Sequence, residues 1–227
     1  SHFQDGTIND TPGTSAINFN TTGTVQFTGT TINSRITGIA NVIQFSGGIF
    51  NGVIDVETNS SGSSGGAGGC TFNANVKLTN SGTGYMLMGN GSPDIFNGDL
   101  ELVNTSTSRF RIAYNSVGNQ LNGNLIVSNT GGGIWFGENG GTTTLATSQV
   151  ISLGTGGFTS GEFRLENFVQ SGATIQSLSL SGTAILRFRT GTVFNGNVDF
   201  DAPRIYLDGA TFNGTVDIEK TGATNDA

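Results

Sequence analysis

Apolar residues in this chain alternate with polar ones instead of returning every third or fourth place. Val198 and Phe200 are two apart, as are Val216 and Ile218, and Leu100 and Leu102. Alternation puts the apolar side chains on one side of a strand. No stretch sustains a 3.6-residue period, and the Gly, Asn and Thr between the apolar positions disfavour helix. The pattern predicts strands of about four residues separated by Gly- and Asn-rich turns.

The strands return with a fixed preface, Phe-Asn-Gly-x-Val-x-apolar. It opens at Phe50 ("FNGVIDV"), Phe72 ("FNANVKL"), Phe96 ("FNGDLEL"), Leu121 ("LNGNLIV"), Phe194 ("FNGNVDF") and Phe212 ("FNGTVDI"). Weaker copies start at Ile8, Ile32, Leu145 and Ile175. That makes about ten units averaging roughly 23 residues, a solenoid period. The expected fold is all-β, a single parallel β-helix of about ten coils spanning residues 1–227. The usual chirality of parallel connections makes it right-handed.

Stacking like units sets like residues in columns. The corner column reads Phe50, Phe72, Phe96, Leu121, Phe194 and Phe212. Beside it runs an Asn ladder of Asn51, Asn73, Asn97, Asn122, Asn195 and Asn213, able to bond along the axis. Gly52, Gly98, Gly123, Gly196 and Gly214 follow and suit a positive φ. Two units depart from the pattern. Residues 59–69 ("NSSGSSGGAGG") read as a flexible bulge. The unit after Leu145 reads as a long one reaching to Ile175.

Composition narrows the class. Glycine supplies 37 of 227 residues without a Gly-X-Y period, which excludes collagen. Hydrophobic residues make up 34%, too many and too regularly placed for a disordered chain. The net charge of −7 argues against a nucleic-acid partner. No apolar run is long enough for membrane insertion. Cys70 has no second cysteine to pair with, and His2 lies in the N-terminal overhang, so no Ser-His-Asp set can be assigned.

Candidate chemistry lies on outward positions. Aligning the second strand of each unit predicts an outer stripe of Met86, Arg111, Trp135, Arg164, Arg187 and Tyr206, preceded by Gln26 and Gln44. Trp, Tyr and Arg are enriched at interfaces, and they also suit sugars; as scaffold, their long stems simply cover a sheet. On the first strand, Asp199 should stack below Asp217, and Asp201 below Glu219. Stacked carboxylates could hold Ca²⁺, or form a plain solvated acidic face. No other cofactor is implied. Thr-x-Thr pairs such as Thr22 and Thr24 do not recur at one position per unit, which weighs against an ice-binding array. Clustered Asp199, Asp201, Arg204 and Asp208 are the only hint of polysaccharide cleavage, and two of them follow the repeat.

The "TFNGNV"-type repeat, rich in Thr, Gly and Asn and nearly free of Lys, resembles β-solenoid repeat regions of very large secreted surface proteins of Bacteroidetes-like bacteria. The resemblance runs from about Ile8 to Glu219. It implies export, display outside the cell, and work as an adhesin or extracellular filament, such as a grappling appendage. The partners it implies are copies of itself, adjoining segments of a long chain, or cell-surface glycans.

Overall fold

Within one turn of chain, alternation separates an inner side from an outer one. In Ile54–Thr58 the side chains of Ile54, Val56 and Thr58 are buried, while Asp55 and Glu57 point outward. Val76–Asn80 and Leu100–Asn104 repeat this arrangement. No single turn can cover its apolar side, so the turns stack. The computed structural model describes residues 1–9 and 16–223, and it is an all-β parallel solenoid of about nine turns.

Every strand pairing is parallel, and like residues meet. Ile54 pairs with Val76, Val76 with Leu100, and Leu100 with Leu125. Each turn presents three faces. The first carries the strands just named and ends in Gln176–Ser179, Val198–Ala202 and Val216–Lys220. The second is a seven-stranded sheet from Ser63–Gly65 to Arg204–Asp208. The third consists of short strands such as Thr71–Phe72 and Ile95–Phe96. The long strand Ala16–Ile32 pairs into both the first and third faces and joins them as one sixteen-stranded sheet.

The corner column is an aromatic stack. Phe50 lies 5.1 Å from Phe72, and Phe72 lies 4.8 Å from Phe96, with rings nearly parallel. Leu121 and Leu145 continue the column, and Phe194 and Phe212 resume the stacking at 5.7 Å. The last described turn has no turn above it. Val216 and Leu207 are 46% and 52% exposed, although Val198 and Phe188 below them are buried.

Three expectations need correction. The glycines after the Asn ladder do not have positive φ. They are required because a Cβ at Gly52, Gly98, Gly123, Gly196 or Gly214 would lie 2.2–2.5 Å from backbone atoms of the turn below. Residues 59–69 are not a bulge. Ser63–Gly65 is a strand of the second face, paired with Tyr85–Met88. Gly65 and Gly66 again answer close stacking, since a Cβ there would meet the Leu87 and Phe45 carbonyl oxygens at 1.9 and 1.8 Å. The unit after Leu145 is not long. Phe168–Gln170 is its successor on the third face, so Gln170 takes the corner position and Ile175 is an exposed turn residue. A buried polar side chain in an apolar column hid the repeat there. The turn following Ile8 and the last four residues lie outside the described residues.

Candidate functional site

Parallel pairing carries the outer positions of the second face into one row. Arg111 pairs with Trp135, Trp135 with Arg164, Arg164 with Arg187, and Arg187 with Tyr206. These five predicted residues come together. Met86 does not join them, because it is 1% exposed and part of the core. The strand Tyr85–Met88 points Tyr85 and Leu87 outward instead, and Leu87 pairs with Arg111. Alternation in "YMLM" is ambiguous because three of its four residues are plainly apolar and the fourth is an aromatic that can be buried. Gln26 and Gln44 pair with each other on earlier turns, apart from the aromatic row.

Aromatic rings and guanidinium groups alternate along this face. Arg109 lies 3.8 Å from the Trp135 ring centre and Arg164 lies 4.6 Å from it. Arg111 is 4.7 Å from Tyr85 and 5.2 Å from Tyr114, and Arg187 is 4.3 Å from Tyr206. Each such contact is worth about 0.5–1 kcal/mol when exposed and more when desolvated. Carboxylates interleave. Glu138 holds Arg111 at 3.4 Å, Glu166 holds both Arg164 and Arg189, and Glu162 and Asp208 flank Arg187 at 3.5 and 3.2 Å.

The chain's one Trp and its three Tyr all gather here, with six of its nine Lys and Arg. Against these six Arg stand the four carboxylates just named, which leaves two positive charges over. Among the described residues, Arg109 and Arg204 have no carboxylate within ion-pair distance. Burial, and next the neighbouring Arg111, hold the Arg109 guanidinium below the usual arginine range. Stripe alignment found the central row. It missed the flanking Arg109, Glu138, Glu162 and Glu166, whose columns are not regular in sequence.

The first face bears the opposite sign toward its C-terminal end. Asp199 pairs with Asp217, and Asp201 with Glu219, as the repeat predicts. Asp199 accepts a hydrogen bond from Ser177 at 3.2 Å, and none of the four has an ion-pair partner among the described residues. No group of three or more His, Cys, Asp or Glu able to hold a metal ion occurs among the described residues, so these four do not converge on a calcium site. Facing outward in two columns, they line a wall without surrounding a point. Earlier on the same face, Lys77 and Glu101 pair at 3.2 Å, and Arg35 and Asp55 pair at 3.9 Å beside an open groove of about 590 Å³ that Asn18, Asn20 and Glu57 also line.

The Asn ladder is built as the repeat implies. Asn51, Asn73, Asn97 and Asn122 each donate from Nδ2 to the Oδ1 of the Asn below at 2.5–2.8 Å. Ala146 and Ser171 interrupt it. Asn195 donates to the Gln170 carbonyl, and Asn213 then donates to Asn195. A second, buried ladder went unread. Asn80 donates to Asn104 at 3.2 Å and Asn104 to Asn129 at 2.8 Å, and all three also tie down loop carbonyls. Its signal was present, an Asn closing "LTN", "LVN" and "VSN" at 24- and 25-residue spacing.

One buried carboxylate sits at a corner. Asp94 accepts from the backbone N–H of Cys70 at 2.9 Å and of Gly89 at 2.7 Å. Burial raises its pKa to about 6, and those donors work against the rise. Burial, with Asp94 alongside, pushes the Cys70 thiol up to about 12. Both groups hold the fold and neither opens on a groove described above. No helix among the described residues is long and apolar enough to cross a membrane. No protein-family model matches the chain, and neither does any curated protein or solved structure.

Proposed function

We propose that this chain is a structural, non-catalytic segment of a secreted bacterial adhesin or extracellular filament. It supplies length, stiffness and lateral contact outside the cell. The observation that carries the reading is the division of labour between inside and outside. Nearly identical columns run through about nine turns, which at about 4.8 Å per turn make a rod about 40 Å long. The side chains typical of interface hot spots, the one Trp, the three Tyr and six of the seven Arg, gather on one outer face that the core does not need. The repeat's resemblance to surface-protein solenoids supports export and display. The partners are copies of the chain, adjoining segments or a cell surface.

Sedimentation and electron-microscopic imaging of the native assembly test this. Rods in lateral contact through the second face are expected, and isolated monomers at every concentration would overturn the assembly part.

A second reading, a carbohydrate-binding solenoid, is favoured by the open groove that Asn18, Asn20, Arg35, Asp55 and Glu57 line. Trp135 is a poor stacking platform, because Arg109 and Arg164 already lie over its ring. On a glycan array this reading expects binding that survives Trp135→Ala and is lost in Asp55→Ala. An array without signal would remove it.

A further inference from the structure

The two outer faces carry unbalanced charge of opposite sign at nearly the same height on the rod. On the second face, Arg204 has no carboxylate partner among the described residues, and Arg189 shares Glu166 with Arg164. On the first face, Asp199, Asp201, Asp217 and Glu219 have no cation partner there. Strand Val198–Ala202 runs almost directly into Arg204–Asp208, so Asp199 and Asp201 lie on the same turn as Arg204. Asp217 and Glu219 are one turn later, while Arg189 is one turn earlier, beside Asp208. The acidic patch and the Arg patch therefore each span two turns, offset by one turn, or about 5 Å.

Exposure matches this arrangement. Asp199, Asp217 and Glu219 are exposed, and Arg189 and Arg204 are partly exposed. Trp135 and Arg164 are locked by their neighbours and make a stiff support for the Arg row. Rigid, pre-ordered side chains lose little entropy on docking.

We propose that a second copy of this chain docks sideways on the second face, setting its Asp199, Asp201, Asp217 and Glu219 against Arg189, Arg204 and Tyr206. This rests on the reading of the chain as a laterally assembling segment and names the surfaces that meet. The contact joins two different patches, so it is heterologous. Each docked copy still offers a free acidic face and a free Arg face, and assembly continues beyond a dimer as a ring or an open array. Being electrostatic at an exposed rim, it weakens as salt rises.

Charge reversal in two variants of the 227-residue chain tests the pairing. One variant is Arg189→Glu with Arg204→Glu; the other is Asp199→Arg with Asp217→Arg. All four positions lie outside the core, and thermal melts establish that each variant is folded. In analytical ultracentrifugation at low salt, wild type is expected to form species larger than dimers, and each variant alone to associate at least tenfold more weakly. An equimolar mixture should assemble again, because each variant offers the complement of the other. If each variant associates as wild type does, this docking is wrong while lateral assembly stands. If wild type stays monomeric up to millimolar concentration at low salt, the assembly reading fails as well. Variants that each lose association without rescue on mixing also overturn the pairing, since they show a charge effect without partner specificity.

Discussion

Replacing Gly98 with Ala adds one methyl group where the stack has no room for it. The new carbon would lie 2.5 Å from the Ala74 carbonyl carbon, 2.6 Å from the Asn75 nitrogen and 2.7 Å from the Ala74 oxygen. All three are backbone atoms of the turn below, so no side-chain rotation relieves the contact. The two turns must separate by close to an ångström. Hydrogen bonds of 2.8 Å flank the site on both sides, from Asn97 to the Phe72 carbonyl and from Val76 to the Asp99 carbonyl. Overpacking of this kind costs about 2–3 kcal/mol, and for a chain of this size that lowers Tm by roughly 5–10 °C. Gly62→Ala is the control. Its nearest neighbour would be the Ser60 Oγ at 3.9 Å, and its φ is not positive. There the methyl group only restricts the unfolded chain, and stability changes by less than about 1 kcal/mol, in the favourable direction. Differential scanning calorimetry on both variants decides the matter. A Gly98→Ala protein melting within 2 °C of wild type would refute the claim that stacking distance selects glycine at this column.

Other consequences follow from the buried polar groups. Asn104→Ala should cost about 3 kcal/mol by urea denaturation, because it strips donors from Asn129, Ser108 and Gly133 in a site with no solvent access. Asn97→Ala, in the exposed ladder, should cost about 1 kcal/mol or less; equal losses would contradict the distinction. Cys70 should resist alkylation at pH 8 in the folded chain and react at once in denaturant; labelling at the rate of a free thiol would refute its burial. Asp94 has a folded pKa of about 6 against an ordinary 3.8, so the folded state binds the proton more tightly. Its contribution to stability therefore falls as pH rises from about 4 to about 6, by about 3 kcal/mol at most, and is level above that. Chemical denaturation across this range should show less of that decline in Asp94→Asn, and an unchanged pH profile would refute the assignment.

The fold was legible because its core is written in columns. Phe50, Phe72 and Phe96 stack on one another, so sequence similarity between units is the same fact as contact between turns. The outer stripe was legible for a related reason. Once inner columns are aligned, the residues between them must face outward, and five of the six named residues do. Met86 failed where that argument has no purchase, in a strand with apolar residues on both sides. Gln170 failed differently. It fills an apolar column with an amide that donates to the Thr174 carbonyl, and polarity concealed an inner position. The glycines were placed correctly for the wrong reason, because sequence does not reveal how near the next turn passes. The groove beside Arg35 and the leftover charges of Arg109 and Arg204 depend on which columns become neighbours across a turn, and no motif records that.

Regular and irregular positions thus occupy different columns of one molecule. An inner position is constrained by the turns above and below it, so a change there must be matched along the axis or paid for in packing. An outer position meets its axial neighbours mainly through long side chains, and it can vary if charge stays balanced nearby. The Arg row illustrates this tolerance. Trp135 replaces an arginine in the row without disturbing register, since Arg109 and Arg164 stack on its ring. Glu166 serves two guanidinium groups from adjacent turns. Where such compensation stops, at Arg204 and at the columns of Asp199 and Asp201, charge is left that the rod does not use for itself. A surface that balances its charges along most of its length and leaves opposite excesses on two faces, one turn apart, is what the proposed sideways docking requires. In a solenoid built from near-copies, the irregular outer columns are where the proposed contact has something to distinguish.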